Sequence, residues 1–193
     1  ILETRPETEF SAAGWAGCMA LPRVLSLNSK DDLLMKVATP AEALREKKIV
    51  SVTPGTSTEE RTNALRALTI SNLAGELRWI VAAGAFSLTL ADSKGSWWSL
   101  KISRAGAATT MQVNEKVIES PLPAASSGEH AFHLLLDGSV AEFFCDDLHV
   151  LTLRIYRQPS GPLHLQFDEG DLAALHQFQA WQLRPISSDR LTS

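Results

Sequence analysis

The side chains in this chain that could do chemistry are mostly acids. Asp137 and Glu142 stand close together in sequence. Two carboxyl groups on either side of an acetal can act as proton donor and nucleophile, with a retaining pair about 5–5.5 Å apart. Asp137 precedes Gly138, however, and reads as a turn residue. Glu142 falls on the following strand with outward parity, so both read as structural. Asp146-Asp147 with His149, and Asp168-Glu169 with Asp171, are acidic clusters of the kind that bind cations. A calcium ion needs about six to eight oxygens, usually from several segments. The first cluster reads as a turn between strands and the second as a loop around Gly170, so no metal is expected. His130, His133, His149, His164 and His176 show no HExxH spacing, and no GxSxG elbow offers a nucleophilic serine. Cys18 and Cys145 make no CxxC pair. Each sits in an apolar alternating run and reads as a small buried hydrophobe. On residues alone, the expectation is no catalytic group and no cofactor.

Trp97-Trp98 is the best candidate for contact with a carbohydrate, because sugar rings stack on exposed aromatic faces. Neighbours on a strand point to opposite sides, which predicts one indole in the core and one on the outer surface or an interface. Trp15, Trp79 and Trp181 read as core anchors.

These residues need a scaffold, and the composition supplies one. The chain has 193 residues, 45% of them hydrophobic, enough to bury a substantial core. A net charge of −4 speaks against nucleic acid, which calls for a basic stripe, and gives no reason to expect a membrane surface. No apolar run reaches the roughly 20 residues of a membrane span. The start at Ile1-Leu2-Glu3 reads as that of a fragment, leaving both extracellular and cytoplasmic locations open.

Short apolar runs separated by turn residues dominate. Ala16–Leu27 and Leu33–Ala38 flank the polar Asn28–Asp32 cluster and predict a β-hairpin, marginal in water unless it leans on something. Thr39-Pro40-Ala41-Glu42 predicts a helix of one or two turns with Thr39 as N-cap. Further strands are predicted at Ile49–Thr53, Ala64–Ser71, Leu77–Ala82, Phe86–Ala91, Trp97–Ser103, Thr109–Val113, Phe132–Leu136, Val140–Cys145, Val150–Tyr156, Leu163–Phe167 and Gln177–Leu183. Asp137-Gly138 is the strongest hairpin signal. Pro121–Gly128 reads as a surface loop and Ser187–Ser193 as a polar tail.

Four segments carry a resemblance. Gly14-Trp15-Ala16-Gly17-Cys18-Met19-Ala20-Leu21-Pro22-Arg23-Val24-Leu25 resembles the end of the catalytic β-propeller of glycoside hydrolase family 32, the invertase, inulinase and levanase group. Pro40-Ala41-Glu42-Ala43-Leu44-Arg45 is similar to that family's propeller-to-sandwich junction. Leu134–Phe144 with Leu151–Tyr156 resembles its Asp-x-Ser-x-(apolar)-Glu hairpin and the strand after it. Ala180-Trp181-Gln182-Leu183 is similar to its closing strand.

The resemblance implies an all-β fold: a two-sheet antiparallel, lectin-like jelly-roll sandwich behind a residual blade hairpin and a linker helix. Residues 1–38 would end the last propeller blade, 39–47 would form the linker, and 48–193 the sandwich. It also implies a non-catalytic portion of a hydrolase of β-fructofuranosyl bonds, in sucrose, inulin or levan. The family's Asn-Asp-Pro, Glu-Cys and Arg-Asp-Pro motifs do not occur in this sequence. The chain alone is therefore expected to be inactive. Trp15, Met19, Leu21, Val24 and Leu25 are expected to dock on the propeller. The expected partners are that propeller, a fructose-containing carbohydrate and a second copy of the chain. A free-standing carbohydrate-binding module, or an oligomerisation domain, is the alternative.

Overall fold

Alternation of apolar and polar residues makes each strand bury one face, and strands patterned this way must pair and stack to cover it. The computed structural model describes residues 5–14, 16–105, 108–118 and 128–184. A short helix α1 (Glu7–Ala13) leads to a hairpin of β1 (Arg23–Leu27) and β2 (Leu33–Val37), and then to a 3₁₀ turn at Thr39–Leu44. There follow β3 (Arg45–Val52), helix α2 (Thr58–Arg66), β4 (Thr69–Ile70), β5 (Ala74–Ala82), β6 (Phe86–Asp92), β7 (Gly95–Ala105), β8 (Ala108–Val113) and β9 (Lys116–Ile118). The chain continues through β10 (Glu129–Asp137), β11 (Val140–Cys145), β12 (His149–Arg154), β13 (Leu163–Phe167), a 3₁₀ turn at Glu169–Ala173, and β14 (Leu175–Leu183).

Two six-stranded sheets result among the described residues, ordered β12-β11-β10-β5-β14-β3 and β4-β13-β6-β7-β8-β9, with the β1-β2 ribbon separate. Every pairing is antiparallel. This is the expected two-sheet sandwich. Between the sheets lies an aromatic centre: Trp79 stacks on Phe132 at 5.3 Å and meets Trp98 edge-on at 6.3 Å. Phe143 approaches Trp98 at 5.6 Å and Phe178 lies 6.1 Å from Trp79. Such pairs add about 0.5–1.5 kcal/mol each beyond the area they bury.

Two local readings need correction. Residues 64–71 were expected as a strand, but Ala64, Leu65 and Arg66 end helix α2 and only Thr69–Ile70 is extended. The helix is set upstream by a reciprocal cap: Ser57 accepts from the Glu60 amide while Glu60 accepts from the Ser57 amide. Leu65 on the helix and Leu68 just past its C-cap Ala67 then bury in the sandwich core. The linker is a 3₁₀ turn rather than an α-helix, and Ala38, not Thr39, is its N-cap. Its Glu42 side chain is drawn to Arg45 and Arg78 instead of closing a capping box. Strand β3 also starts at Arg45, within the expected linker.

Candidate functional site

The outer face of the first sheet is where the ionisable side chains converge. β5 turns Leu77, Trp79 and Val81 inward, which sends Glu76 and Arg78 outward by alternation. Register places Gln179 of β14, Arg78 of β5, His133 of β10 and Phe144 of β11 in one row across that face. The N-terminal ribbon and the linker lie over it. They leave a groove of about 480 Å³ whose lining includes Lys36, Glu42, Arg78, His133, Gln177 and Gln179.

Two buried carboxylates pin the covering segment down. Glu142 accepts from the Leu21 amide at 2.7 Å and from Arg23 Nη2 at 2.6 Å. Arg23 Nη2 also donates to Thr152 Oγ1 at 2.7 Å, and its guanidinium lies 5.3 Å above the Phe144 ring. Glu142 does point away from the sandwich core, as its parity demanded, yet its side chain is only 3% exposed. The sequence reading missed that an outward residue on this sheet is covered by the first forty residues. Leu21 and Val37 pack on Ala74, Leu135, Phe144 and Leu183 beside the clamp. Met35 N donates to Asp147 O at 2.7 Å, Lys36 pairs with Asp147 at 3.1 Å, and Arg154 Nη1 donates to Cys18 Sγ at 2.8 Å.

Glu76 is the second pin, with a side chain 2% exposed. Arg45 grips it in two-pronged fashion at 2.7 Å and 2.7 Å, and His133 Nε2 and Arg78 Nε lie 2.9 Å and 2.8 Å away. Burial alone would raise its pKa. The hydrogen bonds from Arg45 and His133, with the charges of His133 and Arg78, win and hold it at about 2. Glu42 joins the network from the linker through Arg45 and Arg78. Nothing in local sequence marks Glu76, which stands between Gly75 and Leu77, as important.

The tryptophan pair departs from expectation. Both rings are buried, Trp97 at 2% and Trp98 at 0% exposure, and both belong to the core. Leu90 opposes Trp98 while Ala91 opposes Ser96, so Trp97 is the extra residue of a β-bulge and alternation fails there. Trp97 Nε1 donates to the Arg157 carbonyl at 2.8 Å, and neither indole offers a face to solvent. Arg157 in turn grips Asp92 at 2.9 Å, which also accepts from Ser160 N at 2.7 Å and Lys94 N at 2.9 Å. These bonds hold the Asp92 carboxyl well below the usual range. Trp79 is a core anchor, as expected. Trp181 is buried too, under the Arg45 guanidinium at 4.1 Å and the Lys48 ammonium at 5.2 Å.

Of the propeller-docking set, Met19, Val24 and Leu25 are 92%, 53% and 61% exposed, Leu21 is half-buried on the sandwich, and Trp15 lies outside the described residues. The expected loop from Pro121 and the tail from Ser187 also lie outside them, except Gly128. The expected tight hairpin is present with Gly138 at φ 58°, but Asp137 is the last residue of β10, paired with Val140, and the turn itself is Gly138-Ser139. Asp171 is spent on the Ser87 amide and hydroxyl at 2.9 Å and 2.8 Å.

A two-sheet sandwich with an N-terminal ribbon clamped on its outer face by buried glutamates is thus the class of domain defined here. The family model described as "Glycosyl hydrolases family 32 C terminal" matches residues 41–182, and the chain belongs to glycoside hydrolase family 32. No curated protein matches it. Among solved structures it is similar to sucrose-6-phosphate hydrolase from Lactobacillus gasseri, at 20% identity and a TM-score of 0.57 over 86% of this chain and 33% of that one. It is similar to a Bombyx mori β-fructofuranosidase in complex with sucrose, at 18% identity and a TM-score of 0.63 over 94% and 36%. An exo-inulinase from Aspergillus awamori gives 15% identity and a TM-score of 0.59 over 88% and 36%. The chain spans about a third of the length of these proteins.

Proposed function

We propose that this chain is the C-terminal, non-catalytic portion of an enzyme that hydrolyses β-fructofuranosyl bonds, in sucrose, inulin or levan. Its task is to hold a catalytic β-propeller rigid. The observation that carries this reading is the Arg23–Glu142 clamp, which fastens the ribbon to the sandwich while leaving apolar side chains outward. Met19, Val24, Leu25, Leu27 and Leu33 are all more exposed than a ribbon meant for water would leave them. Sister strands of a propeller blade would cover them, at about 1.5–3 kcal/mol per large side chain fully buried. Cleavage itself requires a carboxyl pair, which this reading places on the propeller. The test is twofold. The chain alone should release no reducing sugar from sucrose, inulin or levan. Light scattering should show it associating, and switching to a defined complex when the upstream propeller polypeptide is added. A monomer at high concentration that ignores the propeller overturns the docking role.

The groove favours a second reading, a carbohydrate-binding module. Its row of amide, guanidinium and imidazole groups offers the paired donors and acceptors that sugar hydroxyls use. Calorimetric titration with fructose and sucrose, compared between the chain and Gln179→Ala, separates the two.

A further inference from the structure

At the far end of the same sheet a different group of side chains meets. Cys145 closes β11 and points into the sandwich, His130 near the start of β10 points the same way, and Asp146 occupies the turn. Donor atoms of these three residues all lie within 4.8 Å of one another. His130 Nδ1 is 2.7 Å from Asp146 Oδ2, and Cys145 Sγ is 3.8 Å from the same oxygen. Asp146 is held in place by the backbone at a positive φ of 54°, and its Oδ1 accepts from the Ala131 amide at 2.8 Å.

His149 stands beside this group. It opposes Cys145 across the β11–β12 ladder, so the two side chains share a face. Its Nε2 is buried with no hydrogen-bond partner, an unfavourable arrangement for a polar atom.

We propose that Cys145, His130 and Asp146, with His149 as the fourth donor, form a binding site for a borderline-soft divalent cation of the zinc type. The donor chemistry selects the ion. One thiolate, two imidazoles and a carboxylate suit zinc, whose bonds run from about 2.0 Å to nitrogen to about 2.3 Å to sulfur. Calcium and magnesium, which demand oxygen ligands, are disfavoured. Binding exchanges the Cys145 proton for the metal: the S–H bond breaks, a sulfur–metal bond forms, and one proton leaves to solvent. No oxidant or reductant takes part. The orphaned His149 nitrogen gains a partner in the same step. Asp146, the most exposed of the three grouped residues, is the entry side.

The site is read out with Co²⁺, added to the 193-residue chain under reducing conditions. Saturable thiolate-to-cobalt charge transfer in the near ultraviolet, with tetrahedral bands in the visible, is expected, and Zn²⁺ should displace it. Cys145→Ser should abolish the ultraviolet band, while Cys18→Ser should leave it intact. His149→Gln, at a partly buried position, should weaken binding about 10-fold or more. No charge transfer in the wild-type chain overturns the proposal. So does a band that survives Cys145→Ser, or an affinity unmoved by both His149→Gln and His130→Gln.

Discussion

Arg23 Nη2 sits 2.6 Å from Glu142 Oε2, across 119 positions of chain. One residue closes the Leu-Pro-Arg run of the N-terminal ribbon, and the other closes the Asp-Gly-Ser hairpin of the sandwich. Two of the four stretches that carry the sequence resemblance are therefore partners in space. Each explains the other: an acid on an outward strand position needs a cation, and a marginal ribbon needs an anchor.

Removing one member of this pair leaves the other buried and uncompensated. Arg23→Ala should destabilise the chain by about 2–4 kcal/mol, at the low side of the range for buried pairs because the arginine is partly exposed. The loss should be felt first in the ribbon. Limited proteolysis should cut between Gly14 and Ala38 faster than in the parent chain, and unchanged cleavage there would contradict the clamp.

Stability should fall in acid through Glu76. Its pKa is held at about 2, against 4.5 when free, so the folded state prefers the ionised form. A depressed carboxylate contributes fully above its unfolded value and loses that contribution as pH drops toward its folded value. Denaturation followed between pH 5 and 2 should lose up to about 3 kcal/mol from this group. Glu76→Gln should flatten that part of the profile, and an unchanged slope would count against the network.

Gly138→Val should cost roughly 1–2 kcal/mol or more, because Gly138 holds φ 58° and a β-branched residue is strained there. Its amide also donates to the Leu73 carbonyl at 2.9 Å, tying two loops together. A melting temperature equal to that of the parent chain would show that the turn is not held in this conformation.

Ser57→Ala should destabilise by about 0.5–2 kcal/mol by opening the reciprocal cap of α2. Ser57→Asp, which can still accept from the first turn, should recover most of the loss. Chemical denaturation of the three proteins checks the order, and equal midpoints would show that the cap does not matter.

Strand alternation and turn chemistry are local, and they were legible in the sequence. Val140–Cys145 and Leu163–Phe167 are extended over the residues expected, and the hairpin expected at Asp137-Gly138 is present with its turn at Gly138-Ser139. Helix α2 was missed, because the run from Ala64 was read with a period of two where Ala64–Arg66 continue a helix capped at Ser57. What only the tertiary structure decided was the role of each side chain that leaves a strand. A single bulge at Trp97 moved an indole from surface to core. Docking of residues more than a hundred positions away turned Glu142 from an outward acid into a buried anchor. Likewise Cys145 and His149 lay in view as separate readings, while His130 joined them only because β10 pairs with β11. Periodicity depends on neighbours in sequence; burial, charge pairing and ligand convergence depend on which strands lie side by side, and that is set by the packing of the whole chain.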